Sequence, residues 1–515
     1  MEKTAGYITD VPYTHGYYRE LSPCFIDFAL LLNGFEPPRR SPLRYLELGY
    51  GQGLTANIHA AAVPGDYFGA DFNPTHASNA QLLAEVSRSP ARFSDDSFAT
   101  LAESNSLPEF DYITLHGVWS WVNPESRNHI LAIIAKHLKV GGALYMSYNV
   151  LPGWAPVAPL RHMMALHIKL AGSDTQNLND RINGAIEYTR ALAVKNARFF
   201  AANPAAKGRL ERIAEQNRNY LAHEYFNEDW EPMYSSQVIE RLGHNRATFA
   251  CSASLLDSID SLNINQEQAQ ILNSISNPVL KETVRDYLLN SQFRRDLFTR
   301  GTRRLTTVEN LEKMKQTRLA LTTTVDGFDY TLTTGAGKLS LKKEIYEPIL
   351  EQLTEGNYKP KPIADLAAKL EKGGVVIRSV MEALAILVGL GTVAPAQAEE
   401  DCAKAEDSCR RLNAHLIEQS RLSGEVEHLA SPVIGGGVHV DRFQQMFLRA
   451  RAAGKKAPDD WADEAWNCLK AQRQSIIVEG KVLKTDEENL AELRTRAKRL
   501  ADKTLPVLKM LRVCN

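Results

Sequence analysis

The chain has 515 residues, 44% of them hydrophobic and 23% charged, with a formal net charge of −1. That length predicts three or four folded domains, and the balanced charge gives no bulk basicity of the kind that marks a dedicated nucleic-acid binder. The N-terminus MEKTAGYITDVPYTHGYY has no apolar core, and the most apolar stretch, 375–391, is interrupted by Arg378 and Glu382, so neither a signal peptide nor a membrane span is expected.

In chain order, Ser22-Pro23 starts a helix that Gly34 and Pro37 stop. From Arg44, strands alternate with helices. Strands are read at 44–50, 67–72, 91–96, 110–117 and 143–150. Helices begin near Leu54, Pro74, Ser97 and Pro124, the last stopped by Gly141-Gly142. Alternation at this spacing predicts an α/β, doubly wound parallel sheet. Residues 155–225 read as helices, which makes them an insertion over the ligand-bearing edge of that sheet. A helix at 235–243, a strand at 247–257 and a final edge strand at 292–301 close the first unit, 1–302.

A second unit, 303–398, begins with a hairpin turned at Asp326-Gly327 and continues with three helices and the extended TVAPA. That pattern is winged-helix-like. Its third helix is apolar nearly all round, which suits packing or dimerisation better than DNA reading. Residues 399–515 form a charged, helical C-terminal domain, apart from the apolar loop SPVIGGGVHV at 431–440. The six cysteines include no C-x-x-C pair and have no nearby histidine cluster. Reduced thiols in a cytoplasmic protein are expected, with no metal site and no disulfide framework.

The chemistry concentrates at the first strand. Gly49, Gly51 and Gly53 follow the acidic Glu47, with Tyr50 inside the loop. A dinucleotide fingerprint needs a third glycine one residue later, where Leu54 stands, and a P-loop needs a Lys-Ser/Thr pair that is missing. No Lys or Arg lies between Arg44 and Asp71 to meet phosphate. An acid before the loop suits a cationic ligand instead. Asp71, followed by Phe72, ends the second strand where a carboxylate accepts from a ribose diol. Asp95, Asp96 and Ser97 end the third strand, where one of the two acids accepts from an adenine amino group and a backbone N–H donates to the ring. A cationic head, a ribose and an adenine together describe S-adenosylmethionine.

The segments ELGYGQG (47–53), GADF (69–72), DD (95–96), DYITLHGVWSWV (111–122) and LKVGGALYMSYNVLPGW (138–154) resemble class I S-adenosylmethionine-dependent methyltransferases. PYTHGYYRELSP (12–23), SYNVLPGW and the later 220–243 resemble, more narrowly, bacterial members that carry a methyltransferase regulatory domain, rickettsial-type protein-lysine methyltransferases among them. The resemblance implies a Rossmann-like sheet, a regulatory-domain segment at 220–302, and cofactor contacts at Gly49, Gly51, Gly53 and Asp71. It also implies that Tyr13 and His15 fold over the cofactor as a lid. Tyr50 departs from the family, in which a small residue is usual there.

On the acceptor side, the fourth strand ends in His116-Gly117-Val118-Trp119-Ser120-Trp121, beyond the carboxyl ends of the strands where ligands bind in open sheets. His116 is expected to touch the cofactor and to accept or relay a proton. Trp119 and Trp121, with Tyr148 and Asn149, are expected to build an aromatic channel for a lysine stem. The leading expectation is a homodimeric protein-lysine N-methyltransferase. The alternatives are a small-molecule or glycan O/N-methyltransferase and a cofactor-binding regulatory protein without turnover.

Overall fold

A computed structural model describes residues 15–38, 42–172, 176–216, 218, 221, 225–227 and 229–515. Its centre is one twisted sheet. Strands β1 (Arg44–Leu48), β2 (Asp66–Ala70), β3 (Arg92–Ser94), β4 (Phe110–Leu115) and β5 (Leu138–Leu151) alternate with helices α1 (Pro23–Leu32, preceding β1), α2 (Leu54–Ala62), α3 (Pro74–Ser87), α4 (Phe98–Glu103) and α5 (Pro124–His137). The short β6 (Met233–Tyr234) extends the end of β5; β7 (Thr248–Ser252) and β8 (Phe293–Thr299) complete the sheet. The order is β3-β2-β1-β4-β5-β8-β7, parallel throughout except for β8, which runs antiparallel to both neighbours. The expected final edge strand is therefore interior. Leu297 and Phe298 are fully buried because both sides of β8 are paired, and the edge falls to β7.

The strands read as near-continuous apolar runs because both faces are covered. Period-two alternation sorts them: Leu46, Leu48, Ile113, Leu115, Leu144 and Met146 pack with α5 on one side. Tyr45, Tyr67, Tyr112 and Tyr145 pack with α1 on the other. The reversal of strand order at β1/β4 opens a crevice at the carboxyl ends of the strands.

The inserted helices Ala158–Ala171, Leu178–Val194, Arg198–Ala202 and Pro204–Glu215 carry their own core around Trp154, Met164, Ile186 and Leu210. In the second unit, β9 (Arg318–Leu321) does not pair across Asp326-Gly327. It is the middle strand between β12 (Lys361–Pro362) and β13 (Val393–Ala396). The hairpin is instead β10 (Thr331–Thr334) with β11 (Gly337–Ser340), turned at Gly335-Ala336. The reason is burial: Leu319, Ala320 and Leu321 are 0% exposed, which a two-stranded ribbon cannot provide. The apolar helix Ile377–Leu390 is buried within this same chain, where Gly389 passes Leu256 so closely that a Cβ would fall 2.7 Å from it.

The C-terminal unit is built onto the sheet domain. Helix Glu399–Gln419 lies along α2 and α3, with Ser408 Oγ donating to Ser87 O at 2.8 Å and Gln397 Nε2 to Ala62 O at 2.8 Å. The segment expected to be an apolar loop folds as a hairpin, β14 (His428–Ser431) with β15 (Gly436–His439). Its apolar residues Leu429, Ala430, Val433 and Val438 enter the core shared with α2, and Ser22 Oγ donates to Gly435 O at 2.8 Å. None of the six cysteines is joined in a disulfide. Among the described residues no helix is long and apolar enough to cross a membrane, and no cluster of His, Cys, Asp or Glu is arranged to hold a metal ion.

Candidate functional site

The glycine loop forms the floor of a cleft of about 890 Å³, open to solvent at its mouth. Three residues of the loop are left-handed: Gly49 (φ +73°), Gly51 (φ +58°) and Gly53 (φ +76°). A Cβ on Gly49 would fall 2.5 Å from Val118, and one on Gly53 would fall 2.4 Å from Ala80. Backbone conformation and close approach thus both require glycine there. Gly53→Ala is expected to cost about 2 kcal/mol, read as a fall in the melting temperature, because neither Ala80 nor the backbone has room to yield. An unchanged melt would show that the loop relaxes freely.

Tyr50 does not enter the space above the loop. Its ring packs edge-on against Phe93 at 5.1 Å and over Gly69, and its hydroxyl donates to Ser94 O at 2.8 Å. The bulky residue braces the ends of β2 and β3, and Gly69 makes the space for it. Burial, with the charges of Asp71, Asp95 and Asp96, pushes its pKa up, so it remains a neutral donor.

Two carboxyls line the cleft. Asp71 accepts from Gly51 N–H at 2.9 Å through one oxygen, and through the other from Asn73 N–H and His76 Nδ1, both at 3.1 Å. Glu47 is 4% exposed, and burial is the main cause that raises its pKa to about 7, with the Asp71 charge adding to it. Its Oε2 accepts from Tyr45 Oη at 3.1 Å, and Tyr45 in turn accepts from Thr114 Oγ1 at 2.8 Å. No Lys or Arg is among the described residues that line the cleft.

The wall beyond β4 begins with His116, whose Nδ1 lies 2.8 Å from Tyr145 Oη and whose ring stacks on Tyr18 at 3.8 Å. Burial, with a smaller contribution from the Arg295 charge, lowers its pKa to about 3, so the imidazole is neutral at physiological pH. The loop that follows is tied to alternate residues of β5: Gly117 N–H donates to Ser147 Oγ at 2.8 Å, and Asn149 N–H donates to Ser120 Oγ at 2.9 Å. Buried Arg127 donates to Trp119 O at 3.0 Å and pairs with Glu231.

Several sequence expectations are redistributed. Trp121 lines the cleft, but Trp119 is 0% exposed in the core under it, because the 3-10 turn Trp119–Trp121 points the two rings apart. Tyr148 faces away from the cleft and donates to Asp296 Oδ2 at 2.6 Å, within a buried cluster in which Arg294 binds Asp286, Asp296 and Glu282. Asn149 is buried behind the Ser120 turn, and its Nδ2 has no hydrogen-bond partner among the described residues. Behind Trp121 the rings of Trp230 and Trp154 follow in the core of the inserted helices, outside the cleft lining, with Arg161 set 4.6 Å from the centre of the Trp230 ring. Asp95, Asp96 and Ser97 are exposed and do not line the cleft; Ser97 Oγ caps α4 at Thr100 N–H, and Phe98 takes the lining position. His15 pairs with Glu425 of the C-terminal unit at 3.3 Å, and Tyr13 lies outside the described residues.

The sequence reading missed Tyr18, Thr55 and His76. Tyr18 N–H donates to Thr55 Oγ1 at 3.1 Å, Thr55 donates to Gly16 O at 3.1 Å, and all three residues line the cleft. Neighbouring Tyr17 accepts from Gly437 N–H at 2.6 Å, so the segment is strapped between α2 and the C-terminal hairpin. The only local signal was His76, in the first turn of α3, five residues past Asp71.

A family model described as a methyltransferase domain matches residues 46–142, and one described as a predicted methyltransferase regulatory domain matches 217–300. An uncharacterized protein of Synechocystis sp., sll1526, is 36% identical over 514 residues, 99% of each chain. The chain belongs to the class I S-adenosylmethionine-dependent methyltransferases. An uncharacterized Rickettsia prowazekii protein, RP789, is 28% identical over 56% of this methyltransferase and 51% of its own length. The structure of PKMT2 from Rickettsia typhi in complex with AdoHcy superposes over 98% of this methyltransferase and 99% of that chain, with a TM-score of 0.69 and 18% identity. That likeness extends the shared fold through the inserted, second and C-terminal units. The described residues fit the cofactor: they offer the cleft two acids and a glycine-lined floor, with no Lys or Arg among them to meet a pyrophosphate.

Proposed function

We propose that this methyltransferase N-methylates lysine side chains of protein, as a cytoplasmic homodimer. The observations that support the lysine reading are the sequence resemblance to rickettsial-type protein-lysine methyltransferases and the end-to-end likeness in fold to PKMT2 from Rickettsia typhi, which includes every unit outside the sheet domain. Trp121 on the cleft wall supports it, since an aromatic face attracts a lysine stem and its methylated ammonium.

Within this reading the glycine loop lets the cofactor approach the backbone, Glu47 meets its positive charge, and Asp71 accepts from the ribose diol, replacing hydrogen bonds it now receives from the loop. S-adenosylmethionine supplies, when bound, a methyl group on a sulfonium that is ready for in-line transfer to a nucleophile. The chain contributes alignment and the exclusion of water. Tyr18, Val118 and Trp121 close the space around the transfer point, and a dry wall favours the neutral, nucleophilic form of a lysine amine.

Incubation with methyl-labelled S-adenosylmethionine and cell lysate is expected to place label on protein, recovered as methyl-lysine after hydrolysis. Trp121→Ala is expected to reduce that labelling about tenfold or more while leaving S-adenosylhomocysteine binding intact. Label confined to small molecules would replace the lysine reading with a small-molecule or glycan acceptor. Binding without any turnover would leave a regulatory cofactor-binding protein.

A further inference from the structure

Three alternate residues of β5 hold the loop after β4. Tyr145 meets His116, Ser147 accepts from Gly117 N–H, and Asn149 N–H donates to Ser120. The first of these contacts has a chemical consequence. Tyr145 is 0% exposed, and its hydroxyl has no hydrogen-bond partner among the described residues other than His116 Nδ1, at 2.8 Å. If Nδ1 carried the proton, the phenolic hydrogen would be buried with nothing to accept it. If Tyr145 donates to Nδ1, the hydroxyl hydrogen and the Nδ1 lone pair are both satisfied. The imidazole then carries its hydrogen on Nε2, the nitrogen left for the cleft.

The cleft adds a second constraint. The cofactor assigned to this fold brings a carboxylate on its methionine end, yet the described lining residues include two acids and no Lys or Arg. Among the described lining residues, the groups able to meet that carboxylate are neutral N–H and O–H donors. On the β4 side of the cleft, the imidazole of His116 is such a donor, held flat against Tyr18 at 3.8 Å.

We infer that Tyr145 is a positioning residue that locks His116 as the Nε2–H tautomer, and that His116 donates this hydrogen bond to the carboxylate of the cofactor instead of serving as a base for the acceptor amine. The inference rests on the cleft being the cofactor site. The low basicity of His116 agrees with it, since an imidazole that stays neutral carries no proton away from the amine. The amine proton leaves by another route.

Two measurements test this in the full-length protein. Histidine-selective 15N NMR, with the His116 signal assigned by its loss in His116→Ala, is expected to show Nδ1 unprotonated and Nε2 protonated. Tyr145→Phe is expected to shift that signal toward a mixture of tautomers while the other histidine signals stay in place. Calorimetry then compares S-adenosylhomocysteine with its decarboxylated analogue. The wild type is expected to prefer the intact compound, His116→Ala to lose about tenfold or more of that preference, and His116→Gln, which keeps a donor near Nε2, to recover most of it. Tyr145→Phe is expected to lose about threefold to tenfold. A protonated Nδ1, or a His116→Ala variant that keeps full preference and loses only turnover, would overturn the inference and leave the methyltransferase reading standing. No binding of S-adenosylhomocysteine by the wild type would overturn the cofactor assignment of the cleft itself.

Discussion

Asp71→Ala is expected to weaken S-adenosylhomocysteine binding about a hundredfold or more. The carboxylate stands at the end of β2, 7% exposed, where the proposed binding mode brings two hydroxyls of a ribose to it together. Hydrogen bonds to a charged group contribute about 1.5–3 kcal/mol each, and two of them account for at least that factor. The loss has a second component. Gly51 N–H, Asn73 N–H and His76 Nδ1 all donate to Asp71, and alanine strands them at the mouth of the loop. Asp71→Asn separates the two effects: it retains an accepting oxygen for part of the loop but loses the charge and one acceptor face. Its melting temperature is expected to lie closer to wild type than that of Asp71→Ala, with affinity still reduced about tenfold or more. Titration calorimetry that gave Asp71→Ala an affinity within a factor of about three of wild type would remove the ribose assignment.

Binding of S-adenosylmethionine is expected to strengthen with pH up to about 7 and then level off, through Glu47. Burial holds this carboxyl well above its ordinary value of 4.5, so at pH 6 most of it is protonated and offers no charge to a cationic ligand. Below the raised pKa, affinity falls by up to about tenfold per pH unit, because a proton must leave before the cation is met. Glu47→Gln is expected to give a flat profile at the weaker level.

The stability of the ligand-free protein moves the other way. The folded pKa of Glu47 lies above the unfolded one, so folding favours the protonated form. The contribution of this residue to stability is greatest below pH 4.5, declines as pH rises toward 7, and stays lost above it. A shift from 4.5 to about 7 corresponds to about 3 kcal/mol at most, so Glu47→Gln is expected to melt higher than wild type at pH 8 and to match it near pH 5. Identical slopes of melting temperature against pH in the two proteins would show that Glu47 titrates as an ordinary surface acid.

The parts of the site that were legible in the sequence are those whose chemistry is local. Glu47, the three glycines and Asp71 lie at the ends of successive strands, and a period-two pattern followed by a helix start places such ends without knowledge of the partners. The side to which Trp119 and Trp121 turn is set by the 3-10 turn and by the Arg127–Glu231 pair, which joins residues 104 apart. The cluster behind Trp121 needs Trp154 and Trp230 to come back beside it, and the His116–Tyr145 contact needs the register that sets the two side by side. Strand β9 was paired wrongly for the same reason: Asp326-Gly327 is a good turn locally, but the burial of Leu319–Leu321 belongs to a three-stranded sheet.

By itself the sequence determined the sheet class, the glycine floor and the kind of ligand it excludes, because glycine, acid and the absence of Lys or Arg act through the backbone and through charge over a few residues. The tertiary structure decided which aromatic ring faces the cleft and which is core, why Tyr50 is tolerated, how the C-terminal hairpin straps the segment at Tyr17, and which side chain faces Nδ1 of His116. Each of those is a contact between residues far apart in the chain, such as Tyr17 with Gly437 or His116 with Tyr145. Their free energies depend on burial and on the partner's geometry, and no local propensity encodes either.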